Sequence, residues 1–167
     1  MRVVAILGSL QQSSANGRLV LAVQEAAPPG LDVDVWDGVG RLPHFSPDAS
    51  NDLRMPVVEE LRREVASADA VLVATPEYAG GMPGSLKNAF DWLVGSGEFY
   101  GKTVVIVSAA PTTERGHGAR RWTEETLRMQ GANVTASLTV ALRASDDDAR
   151  EGAAASQVIQ VLTESVG

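Results

Sequence analysis

Apolar residues recur along the chain with two alternating periods. Continuous apolar runs stand at 2–7 (Val3-Val4-Ala5-Ile6-Leu7), 70–75 (Ala70-Val71-Leu72-Val73-Ala74) and 102–109 (Val104-Val105-Ile106-Val107). Runs of this length predict strands covered on both faces, as in a parallel sheet. At 31–36, Leu31, Val33 and Val35 alternate with Asp32 and Asp34, the pattern of an edge strand. A fifth strand is predicted at 133–140. Between them, helical spacing predicts helices at about 15–27, 53–67, 83–95, 116–130 and 147–165.

Strict strand–helix alternation predicts an α/β fold, a single doubly wound domain over 1–167. Five such strands commonly take the order 2-1-3-4-5, with the switch point between the first and third. Ligands bind beyond the carboxyl ends of the strands there. Loops 8–16, 76–83 and 109–118 are then expected on one rim.

Composition narrows the chemistry. A net charge of −7 offers no basic face for phosphate backbones, so no nucleic-acid partner is expected. Zero cysteines exclude disulfides, thiolate catalysis and cysteine-ligated metals. Apolar runs of strand length and the lack of a basic-then-apolar leader predict no membrane partner and a cytoplasmic location.

The first loop, Gly8-Ser9-Leu10-Gln11-Gln12-Ser13-Ser14-Ala15-Asn16, brings hydroxyls, an amide and a helix start to one place. Those groups satisfy an oxyanion without formal positive charge. Ser14 or Asn16 as a plain helix cap explains the same residues. The loop lacks both the Lys-Ser/Thr ending of a nucleotide P-loop and Gly-x-Gly-x-x-Gly spacing, which narrows the guest to a mononucleotide-like phosphate.

The 75–93 stretch is the most informative. Thr75-Pro76-Glu77-Tyr78-Ala79-Gly80-Gly81-Met82-Pro83 leads into a helix with Leu86, Ala89, Phe90 and Leu93 on one face. Its glycines allow close approach to a flat ligand, and Tyr78 offers a ring beside it. Glu77 and Tyr78 read as a general base and proton donor, or as a Pro-Glu turn with a tyrosine packed on the surface. The third loop, 108–118, is small and polar. Its His117 and the distant His44 make no metal-ligand spacing, no Gly-x-Ser-x-Gly nucleophile occurs, and no metal site is expected. Asp146-Asp147-Asp148 reads as the solvated first turn of the last helix.

Pro76-Glu77-Tyr78-x-x-x-x-Pro83-Gly84-x-Leu86-Lys87-Asn88-Ala89-x-Asp91-Trp92 closely resembles the signature of NADPH-dependent FMN reductases. That flavodoxin-like family includes quinone, azo-dye and chromate reductases. Gly8-Ser9, Ser14 and Asn16 are similar to its flavin phosphate loop. The resemblance implies an NAD(P)H-dependent oxidoreductase with FMN, and NADPH or NADH as hydride donor. A quinone-like or other small molecule would be the electron acceptor. It further implies that Ser9, Ser14 and Asn16 hold the phosphate, with Gln11 and Ala15 of the same loop among the cofactor-binding residues. Pro76, Glu77, Tyr78, Ala79, Gly80 and Gly81 would lie at the isoalloxazine ring, with Gly80 and Gly81 offering N–H groups and Ser108 at its border. No side chain is needed as a catalytic acid, base or nucleophile, since the flavin carries the chemistry. A homodimer or homotetramer is implied as well.

Two positions depart from the family pattern. Gln11 stands where an arginine is usual, forgoing a charge-assisted contact of about 1.5–3 kcal/mol. Ala79 stands where asparagine is usual. Arg18 or Arg115 is a candidate for the missing charge, and Arg115, Arg120 and Arg121 for a nucleotide 2′-phosphate. The alternative function is a flavodoxin-like FMN-binding or electron-transfer module with little turnover.

Overall fold

The computed structural model describes residues 1–48, 55–143 and 145–166. Its sheet has five parallel strands, β1 (Arg2–Leu7), β2 (Asp32–Trp36), β3 (Ala70–Ala74), β4 (Thr103–Ala110) and β5 (Asn133–Ala141). Their order is β2-β1-β3-β4-β5, as the strand count and alternation predict. The helices are α1 (Ala15–Ala26), α2 (Pro56–Ser67), α3 (Gly84–Val94), α4 (His117–Met129) and α5 (Asp148–Val166). The expected start of α2 at 53 falls outside the described residues; within them the helix opens at Pro56, whose fixed φ suits a first helical position.

Pleating divides each central strand between two cores. Val3 and Ala5 face the α1 and α5 side, with Leu19, Val23, Val158 and Leu162. Val4 and Ile6 face the other, with Leu61, Leu86, Phe90 and Leu127. This is why the apolar runs are unbroken: every residue of Ala70–Ala74 is fully buried. At the edge, β2 exposes Asp32 and sends Asp34 to the guanidinium of Arg2 at 2.9 Å.

A short 3₁₀ turn at Gly38–Arg41 after β2 was not visible as a pattern. Four residues carry too few apolar positions to show a period. Among the described residues no helix is long and apolar enough to cross a membrane.

Candidate functional site

The first loop leaves β1 at Gly8, which donates its N–H to Ala74 O at 2.9 Å. A Cβ there would sit 2.9 Å from Leu86 Cδ2 and 3.1 Å from that same carbonyl, so the strand end passes α3 only as glycine. Ser9 Oγ accepts the Gln11 N–H at 3.3 Å, and Ser14 Oγ accepts the Gly17 N–H at 3.0 Å as the cap of α1. Ala15 and Asn16 supply the next N–H groups, which have no intrahelical acceptor. Ser9, Leu10, Gln11 and Gln12 line a cleft of about 320 Å³ together with Asp37. Sequence reasoning missed Asp37, because only strand pairing carries the end of β2 to this loop.

Asn16 is only 3% exposed, and both ends of its amide are engaged. Its Oδ1 accepts the Ala109 N–H at 2.9 Å and its Nδ2 donates to Ala109 O at 3.4 Å. The side chain therefore ties the start of α1 to the end of β4.

The second loop closes on itself. Tyr78 and Gly81 exchange backbone hydrogen bonds of 2.9 and 3.0 Å across Ala79 and Gly80. Both central residues have positive φ, 49° at Ala79 and 79° at Gly80. That is the signature of a type I′ turn, whose preferred dipeptide is Asn-Gly. The turn gives a backbone reason for asparagine at position 79, and an alanine there holds a left-handed conformation costing roughly 1–2 kcal/mol. The Gly81 N–H serves the turn. Tyr78 is half exposed rather than packed away.

Glu77 is engaged with a distant helix. Its Oε2 accepts the Ala119 N–H at 3.0 Å, from 42 residues away. Ala119 lies in the first turn of α4, whose own cap position is Gly116 with φ of 79° and no side-chain acceptor. The turn and the helix are in close contact: a Cβ on Gly118 would lie 2.3 Å from Gly80 O, and one on Gly81 would lie 2.4 Å from Trp122. Ser108 lies beneath this junction, 1% exposed, where a Cβ on Gly116 would meet its Oγ at 2.5 Å. Pro76, Ala79 and Gly80 lie on the surface of the rim.

The cationic candidates disperse. Arg18 donates to Asp146 O at 2.9 Å and pairs with Glu151, toward α5. Arg115 is exposed on the third loop. The second half of the 75–93 signature serves packing. Asn88 accepts the Phe45 N–H at 2.7 Å and donates to Pro43 O at 2.9 Å. Trp92 Nε1 donates to the same carbonyl at 2.9 Å, with Phe45 edge-on to its ring at 5.2 Å. These residues strap the segment after β2 across α3.

Residues 1–147 match the family model described as NADPH-dependent FMN reductase. A quinone reductase of Escherichia coli K12 is 36% identical over 94 residues, 56% of this chain and 50% of that protein. A quinone reductase of Pseudomonas putida is 34% identical over 130 residues, 75% of this chain and 68% of its own length. The chain thus spans about half the length of the first of these relatives. Among solved structures, FerB, a flavoenzyme NAD(P)H:(acceptor) oxidoreductase of Paracoccus denitrificans, superposes with a TM-score of 0.83 at 25% identity. That superposition covers 99% of this chain and 94% of FerB.

Proposed function

Because the chain belongs to the NADPH-dependent FMN reductase family, we propose that it is an FMN-dependent NAD(P)H oxidoreductase acting on a small quinone-like acceptor. The observation that carries this reading is the convergence of three loops on one rim, pinned by Asn16 on Ala109 and Glu77 on Ala119.

The residues suit the cofactor. Ser9 and Ser14 each accept a backbone N–H through Oγ, so each hydroxyl keeps its proton for an outside acceptor. With the Gln11 amide and the N–H groups of Ala15 and Asn16, they form a donor set for a phosphate monoester. At Gly80 a Cβ would meet nothing within 4 Å, so the turn leaves open space for a ring above its backbone. Pro76, Tyr78 and Ala79 would border that ring, and the half-exposed Tyr78 and Trp122 give an aromatic acceptor apolar surface to lie on.

When bound, FMN supplies the two-electron chemistry between nicotinamide and acceptor. The chain's own part is to bind and orient. Glu77 holds the start of α4 against the 78–81 turn, and Asn16 holds the phosphate loop against β4. By the same family likeness the protein would work in the cytoplasm as a homodimer or homotetramer, which sedimentation velocity tests.

A second reading, an FMN-binding electron-transfer module with little turnover, is favoured by Gln11 and by the Asp37 carboxylate in the same cleft. Titration with FMN, followed by anaerobic mixing with NADPH and then benzoquinone, separates the two. Flavin binding with rapid bleaching and quinone-dependent recovery supports the reductase. Tight flavin that NADPH does not bleach supports the module, and failure to bind FMN overturns both.

A further inference from the structure

Arg115, Arg120 and Arg121 are the sequence's candidates for a nucleotide 2′-phosphate, yet two of them are occupied. Arg120 turns inward, with Nε on Thr139 Oγ1 at 2.9 Å and Nη1 on Ser137 O and Oγ at 3.0 Å. Burial lowers its pKa, opposed by the charges of Glu124 and Glu77. Arg121 stands on the exposed face of α4 beside Glu125, 3.9 Å away.

Two other arginines are better placed. Among the described residues the guanidinium groups of Arg143 and Arg150 make no hydrogen bond or ion pair. Both line a cleft of about 540 Å³ with Pro111, Ser145, Asp146 and Asp147. It lies where β4 and β5 end, beside the third loop, on the rim that carries the other candidate loops. The aspartates are engaged locally: Asp146 Oδ2 accepts the Arg143 N–H and Asp147 Oδ1 the Arg150 N–H, each at 2.9 Å. The guanidinium groups are therefore the uncommitted charged donors of the cleft.

A second cleft, of about 210 Å³, shares Ala141 and Arg150 with the first. Val140, Ala153 and Ala154 give it apolar walls, and Thr113 and Gln157 give it polar edges. An apolar slot with an amide at its margin suits a planar base. A pair of guanidinium groups alongside suits a phosphate monoester, which arginine binds in bidentate fashion.

We propose that these joined clefts receive the 2′-phosphoadenosine half of NADPH, with Arg143 and Arg150 setting the preference for NADPH over NADH. The proposal rests on reading the chain as an NAD(P)H oxidoreductase. Its test does not need flavin or turnover. Calorimetric titration of the full chain with adenosine 2′,5′-bisphosphate, 5′-AMP and inorganic phosphate reads the site directly.

The bisphosphate is expected to bind at least about tenfold tighter than 5′-AMP and to outcompete inorganic phosphate. Arg143→Gln and Arg150→Gln should each reduce its affinity by about tenfold; Arg143→Gln, which lies outside the base slot, should leave 5′-AMP unchanged, and Arg150→Lys should restore part of the Arg150→Gln loss. Equal binding of the two nucleotides, a preference that survives both substitutions, or inorganic phosphate binding as tightly as the bisphosphate overturns the proposal. FMN binding and NADPH oxidation without bisphosphate preference would sink this site alone. Bisphosphate preference in a protein that binds no FMN would sink the oxidoreductase reading alone.

Discussion

Helices α1 and α4 both point their N-termini at the rim, and they are capped in opposite ways. Helix α1 caps itself: Ser14 immediately precedes it and accepts from Gly17. Helix α4 begins at a left-handed glycine without a side-chain acceptor and borrows Glu77 from the loop after β3. A self-capped helix forms its first turn without help from the rest of the rim. A borrowed cap makes the start of α4 depend on the shape of the 76–81 loop, so the two elements hold or loosen together. Asn16 extends the same logic to α1, coupling it to β4 by a second, longer-range contact.

The largest expected effect comes from removing that coupling. Asn16→Ala would leave the Ala109 N–H and C=O without their partner in a buried setting, costing about 2–3 kcal/mol. Asn16→Asp keeps an acceptor for the N–H but sets a carboxylate against the carbonyl, so it should recover only part of the loss. Urea unfolding measures both. A loss under half a kcal/mol for the alanine variant would mean that the first and third loops are independent.

Breaking the borrowed cap comes next. Glu77→Ala should cost about 1–2 kcal/mol, since α4 loses both an acceptor and a favourable charge at its first turn. Glu77→Gln keeps the acceptor and should lose less than half as much. Trp36 and Trp92 are buried, whereas Trp122 is half exposed against Gly81, so a loosened junction should red-shift the emission through Trp122. Loss of stability without any change in emission would show that Glu77 does not position α4 on the turn.

The self-cap gives a smaller stability effect and a sharper division of roles. Ser14→Ala should cost about 1 kcal/mol, while Ser14→Asp should be nearly neutral because aspartate caps as well as serine. The aspartate variant nevertheless places a carboxylate where a phosphate is proposed, so its FMN affinity should fall by at least about tenfold. An aspartate variant that binds FMN normally would detach the cap from the phosphate site.

This difference in capping also marks how far the sequence could be read. The strands and helices were legible because their apolar periods are local, and Ser14 because a cap adjoins its helix. The Glu77–Ala119 bond was not, since nothing near Glu77 in sequence names a partner 42 residues on. Asn16 looked like a phosphate ligand by residue type, and only the folded sheet brings Ala109 to its side chain. Asp37, Arg143 and Arg150 lie at strand and helix ends that no local pattern connects. Asn88 and Trp92 belong to the most specific stretch of the chain, yet their hydrogen bonds hold residues 43–45. A motif names a family without dividing its members into those that bind and those that brace.

The smallest expected effect tests the turn on which the borrowed cap depends. Ala79 has φ of 49°, and its side chain gains nothing there that offsets the left-handed backbone. Asparagine tolerates that conformation far better, so Ala79→Asn should stabilise the protein by about 0.5–1 kcal/mol, raising Tm by roughly 2 °C. Ala79→Gly removes the same steric cost but gives the unfolded chain more freedom, so its gain should be smaller. If the turn and α4 form one unit, the asparagine gain should shrink when Glu77→Ala is already present, because loosening the junction lets Ala79 relax. Strictly additive effects in that double-mutant cycle would show that the turn holds its shape alone and that α4 merely rests against it.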